Sequence, residues 1–175
     1  MNFFRNFIKI MGRRGHKIVV TARDKDVTLT LLKKYDIPFV KISKIAKTKL
    51  GLGFELLSRT IKFFFIALRE KPDVLMGCMG PTITPVGMVL RVPRLVFYNN
   101  ETAKAVNSWA QRLATAYITS TSYNAPVAGK HVTHQSYHEL AYLHTKYFTA
   151  DEKVLKEYGI KKPFSIVRIV SWQSS

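Results

Sequence analysis

Residues 72–97 read PDVLMGCMGPTITPVGMVLRVPRLVF. Two short apolar runs stand at its ends, Val74–Leu75–Met76 and Arg94–Leu95–Val96–Phe97. A small-residue turn, Gly77 to Pro81, closes the first. Residues 84–90 then have room for a short helix, and Pro85 suits its first turn because the proline's missing N–H would have had no partner there. Strand, glycine turn, helix, strand is the unit from which parallel sheets are built.

The same alternation runs outward in both directions. Residues 2–14 place Phe3, Phe4, Phe7, Ile8, Ile10 and Met11 at helical spacing, with Gly15 as the terminator. Further strands are predicted over 16–22, 38–42, 117–121, 131–133 and 165–170. Further helices are predicted over 27–35, 50–70, 102–115 and 151–158. The fold class this predicts is α/β, a Rossmann-like doubly wound parallel sheet. Such a domain normally opens on a strand bordering the point where ligands bind. This chain opens on a helix, so the expectation is a sheet lacking its first strand.

The 175 residues suit one domain, or one domain and the beginning of another. Cys78 is the single cysteine, so no internal disulfide forms, which fits a reducing compartment. No secretory signal is visible. The most apolar stretch, 61–68, has six uncharged residues between Lys62 and Arg69, far short of the roughly 20 that a spanning helix needs. The expected location is therefore cytoplasmic, with peripheral attachment to the inner face of a membrane as an option. Net charge is +17, and residues 1–71 carry 17 Lys+Arg against 5 Asp+Glu. That excess attracts phosphates, whether of nucleic acid, lipid headgroups or a nucleotide-linked substrate; equally, it is a solvated surface that aids solubility. Nucleic acid is the weakest of these, since no recognised binding motif is present and the aromatics are not interleaved with the basic run.

Several residue groups could carry chemistry. Gly77, Gly80 and Thr82 follow a strand and precede a helix, where backbone N–H groups can hold a phosphate; tight strand–helix packing explains them equally. Asn99, Asn100 and Glu101 directly follow a buried strand, which points them at the crevice on the carboxyl edge of the sheet. There Glu101 can act as a general base or bind sugar hydroxyls, with Asn99 and Asn100 as substrate contacts beside it, or Asn100 caps the next helix with Glu101 in its first turn. His131, His134 and His138 form H-x2-H-x3-H, but no Cys or Asp sits nearby, and the reading is no metal site. On the long helix and its approach, Lys47, Lys49, Arg59 and Lys62 stand beside apolar residues that include Phe64 and Phe65, a pattern that suits an anionic membrane surface; an ordinary sheet-covering helix is the alternative. Residues 136–148, SYHELAYLHTKYF, hold one basic residue, two histidines and three tyrosines in this basic chain.

Several stretches together resemble a prokaryotic family known as domain of unknown function 354. They are LSRTIKFFFIALREKPDVLMG, RVPRLVFYNNETAKAVN, YNAPVAGKHVTHQSYHELAYLH and VRIVSWQ. That resemblance implies a GT-B-like architecture, with two Rossmann-like domains and a cleft between them, as in glycosyltransferases and nucleotide-sugar 2-epimerases. It implies an N-terminal, acceptor-side domain over 1–135, and an interdomain crossing with the start of a second domain over 136–175. It also implies that His138, Glu139 and His144 contact a sugar or diphosphate, while Leu140, Tyr142 and Leu143 pack the hinge. The family's pattern has a strand and an Asn-Pro-Pro-His-like loop before Phe3 and a second domain after Gln173. The expectation is therefore an N-terminal half, inactive alone.

The function this supports is glycosyl transfer in surface polysaccharide or lipid-linked sugar assembly. The substrate would be a nucleotide sugar or lipid-linked sugar, with no cofactor, and a separate chain could bring the C-terminal domain. The alternatives are a nucleotide-sugar 2-epimerase and a non-catalytic basic module binding membrane or nucleic acid.

Overall fold

A computed structural model describes residues 2–98 and 104–167 of the chain. Helices and strands alternate through the first five strands, and every strand pair among the described residues is parallel. The fold is α/β and Rossmann-like.

The chain opens on α1 (Asn2–Arg13). Gly15, at φ 84°, turns it over, and His16 N donates to Met11 O at 3.1 Å. β1 (Thr21–Asp24) is shorter and later than the apolar run over 16–22 predicts. A strand exists only where a neighbour supplies a ladder, and the neighbour β2 (Val40–Lys44) begins opposite Thr21. Between β1 and β2 lies α2 (Thr28–Lys34), which buries Leu32.

The next helix, α3 (Lys49–Glu70), has strong signals at both ends. Thr48 Oγ1 accepts the Gly51 N–H at 3.1 Å, an N-cap. Lys71 takes the left-handed conformation at φ 47°, its N–H donates to Ala67 O, and Pro72 prevents continuation. α3 buries Phe63 and Ala67 in the main core cluster.

β3 (Leu75–Cys78), α4 (Ile83–Val89) and β4 (Arg94–Phe97) are the quoted βαβ unit. α5 (Lys104–Leu113) leads to β5 (Ala116–Ser120), and β6 (His131–His134) completes the order β3-β4-β5-β6. Val96 and Tyr117, both fully buried on the inner strands, pack with Leu75, Ile83 and Val86. The strands thus fall into two sheets, β1-β2 and the four-stranded one, instead of one continuous sheet.

Side chains tie the two parts together. Arg23 of β1 pairs with Glu55 of α3, and Arg59 one turn on donates from Nε to Thr82 Oγ1 at 3.0 Å, just before α4.

After β6 the chain crosses the carboxyl edge of the sheet. α6 (Leu140–Leu143), which the sequence pattern does not predict, packs against α1. Asn6 Nδ2 donates to Ala141 O at 2.8 Å there. α7 (Lys153–Glu157) follows. The predicted strand over 165–170 does not form within 165–167, and the rest of it lies outside the described residues.

Candidate functional site

In a parallel sheet the residues at the carboxyl ends of the strands face the ligand crevice. Here those ends include Phe97 on β4 and His134 on β6. α1 delivers Phe3 and Phe4 to the same place. Phe3 lies 5.3 Å from Phe97, ring centre to ring centre, and Phe4 lies 5.7 Å from it, edge to face. His138, in the turn entering α6, packs 4.4 Å from Phe3 and stacks on His134 at 6.1 Å.

A cavity of about 470 Å³ opens on this cluster. Phe3, Phe97, His134 and Tyr137 form aromatic walls, and His144, Lys146 and Tyr147 close the far side. His144, at the end of α6, accepts the Lys146 N–H on Nδ1 at 3.1 Å. His138 does not line the cavity itself. Its Nε2 is covered and without a hydrogen-bond partner, and it supports two of the walls, Phe3 and His134. Burial, with the nearby His134, holds its pKa below the ordinary imidazole value against a weaker opposite pull from Glu139. Glu139 is exposed at the start of α6 and makes no side-chain cap.

A second cavity, about 720 Å³, lies along α1. Arg5, Lys9 and Arg13 come from successive turns of that helix and meet Lys146, with Asp36 as the one carboxylate. Arg5 sits over the Tyr35 ring, 4.7 Å from its centre. Lys146 and Tyr147 belong to both cavities, so an aromatic, imidazole-bearing space adjoins a strongly basic one.

Other predicted residues lie elsewhere. Gly77 is within β3, and Gly80 takes φ 81° with its Cα against Val96 and Thr84. Thr82 receives Arg59 and is not among the residues lining either cavity. Asn99, Asn100 and Glu101 lie outside the described residues. Lys47, Lys49, Lys62 and Phe65 are exposed, whereas Phe64 is half-buried against the core cluster. Arg59 does not join the exposed set: its side chain is 12% exposed and turned inward to Glu55 and Thr82.

The histidine triplet is dispersed in function. His131 Nε2 bonds Thr119 Oγ1 at 2.8 Å, while His134 and His138 present ring faces to one another. Among the described residues no group of three side chains could hold a metal ion.

The spacing rules miss His134, Phe3, Phe97 and Lys146 as site residues. The available signal is position: two end strands, one opens the first helix, and one follows α6.

The model of the family described as "Protein of unknown function (DUF354)" matches residues 1–169. The chain belongs to that family. No curated protein matches it. Among solved structures, this DUF354 chain is similar to the crystal structure of MurG from Acinetobacter baumannii, a GT-B glycosyltransferase. Identity is 21% and the TM-score 0.58, over 75% of this chain and 41% of that one. At that identity the likeness shows the fold alone, and the DUF354 chain spans less than half the length of its structural neighbour. No helix among the described residues is long and apolar enough to cross a membrane.

Proposed function

We propose that this chain contributes the acceptor-side half of a glycosyltransferase that handles diphosphate-linked sugars, in surface polysaccharide or lipid-linked sugar assembly. One observation carries the reading: Lys146 and Tyr147 wall both cavities. A single ligand can then lie across the two, its diphosphate beside Arg5, Lys9, Arg13 and Lys146, its sugar against Phe97, His134 and His144. Basic side chains suit the charged end, and aromatic faces with a few polar groups suit a sugar ring. The GT-B fold supports the reading by analogy, since fold alone does not fix chemistry.

In this reaction an acceptor hydroxyl oxygen bonds to the anomeric carbon as the bond from that carbon to the phosphate oxygen breaks. The electron pair leaves with the donor's diphosphate, which the partner nucleotide-binding domain holds, while the four cations here hold the diphosphate of the acceptor. The acceptor proton passes to a base, and Glu101 is the residue we propose for it. The nucleotide or lipid carrier is part of a substrate, and no further cofactor is needed. A nucleotide-binding domain is the partner, and the cytoplasmic side of a membrane is the place such substrates are made available.

Calorimetric titration of the chain with inorganic pyrophosphate and with a panel of nucleoside-diphosphate and polyprenyl-diphosphate sugars tests this. One or more sugar diphosphates should bind more tightly than pyrophosphate, and Lys146→Met should weaken both by about tenfold. If no sugar diphosphate exceeds pyrophosphate, the aromatic cavity contributes nothing and the reading fails.

A further inference from the structure

α3 carries an apolar stripe on the side opposite its packed face. Leu50, Phe54, Leu57, Ile61, Phe65 and Leu68 are all exposed, with Leu50 at 81%, Phe54 at 73% and Phe65 at 62%. Their spacings of three and four residues place them within about 80° of the helix circumference, in a line about 27 Å long. The opposite side is already committed: Phe63 and Ala67 sit in the core, and Glu55 and Arg59 turn inward. A helix apolar on both sides is one that something else covers.

We infer that this outward face of α3 docks on an anionic lipid surface, the helix lying in the plane of the headgroups with the stripe inserted. Charge selects that occupant. Lys47, Lys49 and Lys62 are exposed around the stripe. The two acids of α3 are both engaged, Glu55 with Arg23 and Arg59, Glu70 with Lys17 and Arg69. A second copy of the chain would bring these cations against their own kind, and with +17 on each copy the pairing is repulsive. Anionic headgroups neutralise the same cations while the acyl boundary receives the leucines and phenylalanines. The attachment is reversible, because one helix face is far weaker than a spanning segment.

The docking stands apart from the sugar-diphosphate reading: pyrophosphate binding can hold while vesicle binding fails, and the reverse.

The experiment is co-sedimentation of the chain with extruded vesicles of phosphatidylcholine, with and without phosphatidylglycerol, at low and high salt. Binding should be at least tenfold stronger to the anionic vesicles and should fall as salt rises. Phe54→Ser with Phe65→Ser should lower it at least tenfold while the circular dichroism spectrum and Tm stay those of the parent, since both rings are exposed. Lys49→Gln with Lys62→Gln should lower it by about tenfold or more. Binding to a short oligonucleotide should not respond to the phenylalanine changes. Three results would each overturn the inference: equal binding to neutral and anionic vesicles, wild-type binding by the serine double variant, or a dimer in sedimentation that the serine variant dissolves.

Discussion

His134 and His138 lie face to face, ring centres 6.1 Å apart and planes 12° from parallel, joining the end of β6 to the turn that enters α6. Two imidazoles in this arrangement tolerate two positive charges poorly, and His138 Nε2 is also covered and unpartnered. Burial first, and His134 second, therefore keep the His138 pKa below its ordinary value; Glu139 opposes them without prevailing.

The sign of the pH effect follows. The unfolded His138 protonates near pH 6.5, while the folded one resists until lower pH. Between those points the unfolded state binds more protons, so acid favours unfolding. This contribution to stability is complete above about pH 6.5 and is lost as pH falls toward the folded value. Tm measured from pH 7.5 to 5.5 should decline, and His138→Phe should decline less over the same range. An NMR titration placing His138 at or above the ordinary value would remove the basis for this.

Gly80→Ala should destabilise the fold by about 3 kcal/mol. The backbone there has φ 81°, which costs a residue with a Cβ about 1 kcal/mol or more. The added carbon would also stand 2.8 Å from Val96 Cγ2 and 3.2 Å from Thr84 Cγ2, in a fully buried region, and overpacking adds about 1–3 kcal/mol. Urea denaturation reads the change directly. A shift below about 1 kcal/mol would mean that the turn relaxes freely, and that Gly80 serves something other than packing.

Arg94 opens β4 and fastens three backbone carbonyls. Nε donates to Leu113 O at 2.6 Å, and a terminal nitrogen donates to Gly87 O and Val92 O at 3.1 and 3.2 Å. It thereby joins the ends of α4 and α5 to the sheet. Arg94→Met keeps most of the aliphatic stem but leaves those acceptors without their charged donor, at a cost of about 3 kcal/mol. Arg94→Lys should recover less than half, because one ammonium cannot reproduce the planar fork. Equal stability of the Lys variant and the parent would show that the fork is not what matters.

Elements bounded by strong local chemistry were legible from the sequence. Arg94–Phe97 forms as read because Pro93 and the apolar residues Leu95–Phe97 define it, and α3 because its apolar run ends at Pro72; the Thr48 and Lys71 caps come from the structure. The apolar run at 16–20 promised a strand, but a ladder needs a partner that sequence periodicity does not supply. α6 is only four residues long and held by α1, a tertiary cause invisible to local pattern. Arg59 is a different kind of lesson. Spacing alone puts it half a turn away from Phe54, Ile61 and Phe65, so the helical phase already contained its inward direction. The aromatic cavity was legible only as a neutral stretch around His138 and His144. Phe3 and Phe97 join it through the topology.

Glu55 is the most heavily used carboxylate among the described residues. It is 7% exposed, pairs with Arg23 and Arg59, and accepts from Ser43. Burial alone would raise its pKa. The hydrogen bonds from Arg23 and Ser43, with the charges of both arginines, outweigh burial and hold it below the ordinary carboxylate value. Removing the carboxylate leaves two neighbouring guanidiniums, one of them largely buried, with no counter-charge, and breaking such a pair typically costs about 3 kcal/mol. Glu55→Ala should therefore lower Tm by about 8 °C in a chain of this size. Glu55→Gln keeps the shape and an acceptor oxygen but not the charge, so it should fall between the two. Arg59→Met should be better tolerated in the Glu55→Ala background than alone, because the repulsion between Arg23 and Arg59 goes with it. The pH dependence gives an independent check. A depressed carboxyl contributes stability that is complete above the unfolded value near 4.5 and is lost as pH falls through the folded one. The parent should thus lose stability below about pH 4.5 more steeply than Glu55→Gln. If the two curves run parallel, the charge of Glu55 carries little energetic weight.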